Sequence, residues 1–187
     1  MNPLKRMQYN APVTLTFALI SALALALAHY TDGASNRLLF MVYRAPFTDP
    51  LMYLRLFTHV LGHSGTAHYL NNFLIILLVG PMLEEKYGTR SLIVMMVVTA
   101  FVTGLIWVIM SPYAKLGASG IVFMLILLSS FTNIKKRRIP LTLILAVFIY
   151  LGREIISAAT LDDNIAYMSH IVGGICGAMF GFIMNKL

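Results

Sequence analysis

The sequence is short of charge. Asp, Glu, Lys and Arg together make up 11% of its 187 residues, whereas a typical soluble domain is about 25% charged. Hydrophobic residues supply 59%, and the mean hydropathy is +0.81. So few charged residues cannot cover the surface of a domain that is exposed to water. The composition therefore excludes a soluble domain and intrinsic disorder, and it predicts a protein that uses lipid as its solvent. Cysteine is also scarce: with a single cysteine, the chain has no internal disulfide framework.

What the chain does have is a series of apolar runs between charged or turn-forming breaks. A membrane-spanning helix needs about 20 mostly apolar residues. We therefore predict a single all-α membrane domain over residues 1–187, a bundle of six transmembrane helices with a long first outer loop. The predicted spans are approximately 11–30, 67–84, 91–110, 119–134, 139–157 and 167–185.

Lysine and arginine are distributed unevenly between the two predicted sides. Nine fall on the side of the amino terminus and five on the other, while the acids divide two and five. The first side is therefore strongly positive and the second neutral, as the positive-inside rule requires of a cytoplasmic face. We predict a multi-pass protein of a bacterial inner membrane with a cytoplasmic amino terminus. The net charge of +7 then needs no nucleic-acid partner.

Three polar residues of the outside-to-inside spans share one predicted depth. Ser119, His170 and His68 each lie 16 residues before the charged residue that ends their span. At about 1.5 Å per residue they lie roughly 24 Å above the inner boundary, inside a hydrocarbon core about 30 Å thick. The fourth span is too short to reach the outer boundary, so residues 112–118 are expected to enter the bilayer as non-helical backbone lining a wet cavity.

The segment Gly117-Ala118-Ser119-Gly120 places a serine in a glycine-flanked turn at a helix start. Glycine permits close approach and unusual dihedral angles, and the unpaired N–H groups of a helix amino terminus suit an oxyanion. Taken alone, however, the segment fits an ordinary N-cap serine better than a catalytic one.

His170 changes this interpretation, because an ionisable side chain inside a span is costly and usually functional. Gly173 and Gly177 follow it and would let the sixth helix pack closely against the fourth. We interpret Ser119 as a nucleophile and His170 as its general base. The pair is a dyad because no acid is expected at their depth. Phe123, one turn after Ser119, could stack on the imidazole. The alternative is a packing histidine bonded to a backbone carbonyl.

His68 and Asn72 are four residues apart, so they share a face near the outer end of the second span. With the N–H of Ser119 they could hold a tetrahedral oxyanion. The alternative is a structural hydrogen-bond network between helices, which suits the nearby His63 equally well.

The five histidines leave one metal alternative, a site made of His63, His68 and His170. The His-Glu-x-x-His pattern of metalloproteases is absent from the sequence, and no acid shares their depth. We therefore predict no metal and no cofactor. His29 and His59 are predicted to lie at the interface between membrane and water.

These residues resemble the rhomboid family of intramembrane serine proteases, in its compact six-helix bacterial form. The resemblance covers nearly the whole chain. It is carried by Gly-x-Ser-Gly at 117–120, by His170 with its following glycines, and by the His-x4-His-x3-Asn element that begins at His63.

The resemblance implies a nucleophile, Ser119, a base, His170, and oxyanion donors at His68 and Asn72 beside the N–H of Ser119. It also implies cleavage of peptide bonds within or beside transmembrane segments of membrane proteins.

The chain departs from the family pattern at two places. Arg55 resembles the arginine of a first-loop Trp-Arg element, but Leu54 stands where the tryptophan is expected. Phe123 replaces a tyrosine common in this subtype, so ring stacking can persist while a hydroxyl role cannot.

Two other classes of function compete with an intramembrane serine endopeptidase. A catalytically inactive rhomboid-like protein would hold membrane clients, but the intact Ser119 and His170 pair counts against it. A small transporter or proton relay could use the intramembrane histidines. The missing intramembrane carboxylate and the lack of inverted repeats count against that alternative.

Overall fold

The computed structural model describes residues 9–131 and 167–184, together with Leu141, Leu145 and Phe148. A short π-helix, Asn36–Phe40, lies between the first two α-helices. Within the described ranges, extended backbone pairs only at an isolated antiparallel bridge between Val42 and Lys115. The α-helices are α1 (Pro12–Tyr30), α2 (Pro50–Thr58), α3 (Thr66–Tyr87), α4 (Thr89–Met110), α5 (Ser119–Ser130) and α6 (Tyr167–Met184).

Four of these helices, α1, α3, α4 and α6, are long and apolar enough to cross a membrane. They overlap the first, second, third and sixth predicted spans. The predicted fourth span, 119–134, is described only through the 12 residues of α5 and Phe131. The predicted fifth span, 139–157, lies outside the described residues except at three exposed helical positions. The part of the chain that the structure describes is thus helical and suited to a membrane, and the count of six spans stays a prediction.

A carboxylate of α3 fixes the start of α1. Glu84, 4% exposed, accepts hydrogen bonds from the backbone N–H groups of Val13 at 2.9 Å and Thr14 at 3.0 Å. The hydroxyls of Thr14 and Thr89 donate to the same carboxylate. The first N–H groups of a helix have no acceptor within it and attract negative charge. Glu84 therefore joins three helices at the predicted inner end of the bundle.

The core lies where α3, α4, α5 and α6 meet, while the outward faces of the helices carry large exposed side chains. Exposed aliphatic and aromatic surface of this extent marks contact with a membrane in a chain of such composition. The buried side chains include Phe73, Ile76, Leu92, Ile121, Met124 and Leu128, and the exposed ones include Leu23, Leu74, Leu78, Ile109 and Phe182.

The loop between α1 and α3 is organised around Arg55, which is 2% exposed. Its guanidinium pairs with the Asp49 carboxylate at 2.5 Å, donates to the Leu38 carbonyl at 3.4 Å, and lies 4.3 Å from the centre of the Tyr43 ring. Asp49 also caps α2 by accepting from the Leu51 N–H at 2.9 Å. Arg55 thereby ties the two halves of the loop together.

Candidate active site

Ser119 is the first residue of α5 and is half-buried. The preceding turn depends on Gly117, whose φ of +123° lies in a region that L side chains rarely adopt. The Gly117 N–H donates to the His59 carbonyl at 2.9 Å. As the first N–H of a helix, that of Ser119 has no acceptor within the helix. The turn therefore presents a hydroxyl and a backbone donor together.

Close packing of α5 against α6 fixes the height of His170. A Cβ added to Gly173 would collide with the Gly120 carbonyl, and one added to Gly177 would collide with the Met124 carbonyl. The two backbones are in contact at both places, as the small-residue spacing predicts. The half-buried His170 and Ser119 consequently lie at the contacting ends of α6 and α5.

Phe123 contacts the imidazole of His170. The two ring centroids are 4.6 Å apart, with an angle of 35° between the planes. This geometry is a tilted stack. It places His170 on the same side of α5 as Ser119, because Phe123 is one turn farther along that helix.

The side chains of His68 and Asn72 lie against Gly117. A Cβ built on Gly117 would stand 2.7 Å from His68 Cε1 and 2.8 Å from His68 Nε2, and 3.9 Å from Asn72 Nδ2. Only glycine leaves room for the imidazole here. The other ring nitrogen, Nδ1, is 3.0 Å from the Ser64 hydroxyl. A Ser64 hydroxyl that donates to Nδ1 leaves an N–H on Nε2, directed towards the turn before Ser119.

The imidazole of His63 is hydrogen-bonded to the side chain of Asn72. The Asn72 amide nitrogen lies 3.2 Å from His63 Nε2, and His63 Nδ1 lies 3.1 Å from the Leu61 carbonyl. A carbonyl only accepts, so Nδ1 carries the proton and Nε2 accepts from the amide. Burial lowers the pKa of His63 to about 4, which keeps it neutral at physiological pH. The same Asn72 amide nitrogen lies near Gly117, 3.9 Å from a Cβ built there.

A cavity of about 670 Å³, lined by both apolar and polar residues, lies between the end of α1 and the start of α3. His63 and Ser64 line it on the α3 side, and Asp32 and Asn36 on the other. Asn36 also donates to the His63 carbonyl at 3.0 Å. The cavity reaches the residues that hold Asn72 and His68 in place.

His59 is not an interfacial residue. It is fully buried, with Nδ1 3.2 Å from the Arg55 carbonyl and Nε2 3.5 Å from the Thr103 hydroxyl. Burial is the main reason that its pKa falls to about 3, and the nearby charge of Lys115 adds to the effect. The prediction for His59 is wrong because the loop folds inward and inserts this ring between α2 and α4. Its spacing of four residues from Arg55 was the available sequence signal.

Like the burial of His59, the role of Lys115 was not predicted from the sequence. Its ammonium donates to the Ser169 hydroxyl and lies 5.2 Å from the centre of the Trp107 ring. Cys176, in contrast, is a buried residue of the core. Among the residues that the structure describes, no group of three or more His, Cys, Asp or Glu is arranged to hold a metal ion.

Comparison with known proteins identifies the class. A family model described as Rhomboid domain matches residues 50–187, and the chain belongs to the rhomboid family. It is similar to Rhomboid protease GlpG of Haemophilus influenzae, with 25% identity over 167 residues that cover 80% of this chain and 86% of that protein.

A second relative is Rhomboid protease GluP of Bacillus subtilis. It is 25% identical over 173 residues, which cover 88% of this chain and 34% of GluP, so this chain spans about a third of that longer protein. The resemblance to a bacterial rhomboid of the GlpG type is confirmed.

Proposed function

We propose that this chain is an intramembrane serine endopeptidase that hydrolyses peptide bonds in or beside the transmembrane segments of other membrane proteins. One observation carries the proposal. The turn before Ser119 contacts His68 and lies near Asn72 on α3, and one turn farther along α5 the Phe123 ring stacks on the imidazole of His170. Membership of a family with relatives named as proteases supports it.

In the proposed reaction, the Ser119 hydroxyl attacks the carbonyl carbon of the scissile bond while His170 takes its proton. The carbon–nitrogen bond then breaks, and the imidazolium gives the proton to the leaving amine. Water, deprotonated by His170, hydrolyses the acyl-enzyme and restores Ser119. The site needs no metal or cofactor for these steps.

The negatively charged oxygen of each tetrahedral intermediate needs hydrogen-bond donors to stabilise it. In this proposal three groups near Gly117 supply them: the backbone N–H of Ser119, the Nε2–H of His68 and an amide N–H of Asn72. Donors fixed before the reaction stabilise charge without reorganising. The hydrogen bonds from Ser64 and to His63 fix two of them.

The substrates in this proposal are transmembrane proteins reached through the bilayer. In this proposal the amino terminus lies in the cytoplasm of a bacterial cell and the site opens towards the periplasmic side. The charge asymmetry between the two sides supports this orientation.

Cleavage of a single-span test protein in proteoliposomes tests the proposal. Ser119→Ala and His170→Ala should each abolish cleavage, since they remove the nucleophile and the base. Ser129→Ala on the same helix and His29→Ala at an exposed position are matched controls that should cleave normally. If the wild type binds the test protein without cutting it, a client-binding rhomboid-like protein is the better description.

A further inference from the structure

Lys115 joins the segment that precedes the serine to a neighbouring loop. It lies in the non-helical stretch 111–118, four residues before Ser119. Its backbone N–H and carbonyl each pair with Val42 at 2.8 Å. These two bonds fix where the lysine side chain begins.

The far end of the side chain reaches the helix of the histidine. The ammonium donates to the hydroxyl of Ser169, which immediately precedes His170 and is 1% exposed. The same nitrogen lies over the ring of Trp107 on α4, 5.2 Å from its centre. The indole is itself held, because its N–H donates to the Tyr113 carbonyl at 2.8 Å.

We propose that Lys115 is a positioning residue of the protease reaction, whose ammonium holds the segment leading to Ser119 against the start of the helix that carries His170. This inference rests on the proposed function. The Gly120 and Gly173 contact sets the spacing of the two helices. The non-helical segment before Ser119 is held on its α3 side by the contact of Gly117 with His68, and the Lys115 side chain is the contact that ties it to the start of α6.

The charge of Lys115 matters to this role. An ammonium bonds a hydroxyl and an aromatic face more strongly than a neutral amine does. Burial lowers the pKa of Lys115 to about 7. The other titratable groups near it in the described part of the chain are His59 and His68, which feel its charge, and His170 beside Ser169.

A general-base role for Lys115 is the main competitor, and substitution separates the two. Lys115→Met removes charge and hydrogen bond but keeps an unbranched chain. Lys115→Arg keeps the charge and the donors, yet an arginine cannot act as a base. A positioning residue is rescued by arginine, whereas a base is not.

The experiment measures kcat and KM for a test substrate in proteoliposomes across pH. We expect Lys115→Met to lower kcat roughly 10- to 100-fold, as misplacement of reacting groups does, with KM changed less than about twofold. Ser169→Ala should lose part of the same activity, and Lys115→Arg should keep most of it. Lys86→Met is the matched control, because Lys86 is exposed and lies 5.1 Å from the Tyr87 ring at the opposite end of the bundle.

Trp107 supplies a readout that does not depend on turnover, since it is the chain's single tryptophan. Its fluorescence should change in a step near pH 7 as Lys115 loses its proton. That step should be absent in Lys115→Met and Lys115→Arg. In the wild type, kcat should decline above the same pH, and the arginine variant should show no such decline.

The outcomes distinguish the two proposals. An active wild type with the same kcat as Lys115→Met would overturn the positioning role and leave the protease function intact. A fluorescence step that persists in Lys115→Met, or an arginine variant as inactive as the methionine one, would also overturn it. A wild type that neither cleaves nor reacts at Ser119 overturns the protease function, and the positioning role with it.

Discussion

At the scale of single residues, His68 and Asn72 are the polar side chains next to the turn that precedes Ser119. Both border Gly117, where the oxyanion of the proposed reaction would lie. The charge develops only as the transition state forms, so these donors should affect turnover more than binding. Loss of one donor costs about 2.7–4 kcal/mol, or roughly 100- to 1000-fold in kcat.

We expect His68→Ala and Asn72→Ala each to reduce kcat with KM nearly unchanged, and the double variant to lose far more. Steady-state kinetics on a membrane substrate measures both quantities. Asn71→Ala is the matched control, because Asn71 is the exposed neighbour on the same helix. Normal turnover by variants that melt at much lower temperature would instead make the pair structural.

Two buried histidines of the first loop make stability depend on pH. Burial lowers the pKa of His59 to about 3 and that of His63 to about 4. An unfolded histidine binds its proton near pH 6.5, so between these values the unfolded state holds more protons than the folded one. The free energy of unfolding should therefore fall as pH drops from about 6.5 towards 3.

Thermal unfolding in detergent across this pH range measures the effect. His59→Ala should also destabilise the protein at neutral pH, by roughly 1–3 kcal/mol, since it removes a buried hydrogen-bonded side chain. The exposed His29→Ala should change neither the melting temperature nor its dependence on pH. If a variant that lacks both His59 and His63 loses stability in acid as much as the wild type does, these histidines are not the cause of the pH dependence.

At the scale of elements, the contact between α5 and α6 sets the geometry of the candidate site. A side chain at Gly173 would collide with the Gly120 carbonyl, whereas a Cβ at the adjacent Gly174 meets Leu127 at an ordinary 3.7 Å. Gly173→Ala should therefore destabilise the protein by about 1–3 kcal/mol, as overpacking does, and reduce cleavage. Gly174→Ala, one residue away, should be tolerated. Melting temperatures and cleavage rates of the two variants test this prediction. Equal effects of the two substitutions would contradict the close packing of Gly173 against Gly120.

The sequence allowed much of this element-scale arrangement to be predicted. Hydropathy located the long helices, whereas the common depth of Ser119, His170 and His68 in the bilayer stays a prediction. Small-residue spacing predicted the contact of α6 with α5, and the four-residue spacing of Ser119 and Phe123 predicted the ring stack on His170.

Long-range folding of the loops could not be predicted in this way. The burial of His59 and the reach of Lys115 to Ser169 both depend on how two irregular segments fold back on the bundle. Apart from the four-residue spacing of Arg55 and His59, such contacts leave no period in the sequence, because they join segments that are distant along the chain. The Glu84 cap of α1 likewise joins residues 70 or 71 positions apart.

At the scale of the whole molecule, the proposed site lies inside a helical bundle, which limits the peptide bonds that it could cut. A peptide bond within a stable helix has its carbonyl hydrogen-bonded and shielded by side chains, so attack requires local unwinding. Substrates should therefore carry Gly, Ala or other small residues near the outer end of their transmembrane helix. Replacing these residues with Leu in a test substrate should slow cleavage, and rates that do not change would argue against unwinding.

The central claim is that Ser119 is a nucleophile activated by His170. A fluorophosphonate reagent tests it directly, because it forms a covalent bond with an activated serine and needs no knowledge of the natural substrate. After treatment of the protein in liposomes, mass spectrometry should find the phosphonyl adduct on Ser119 in the wild type and none at this position in His170→Ala. An unmodified Ser119 in the wild type, or an equal adduct in the His170→Ala variant, would contradict the dyad.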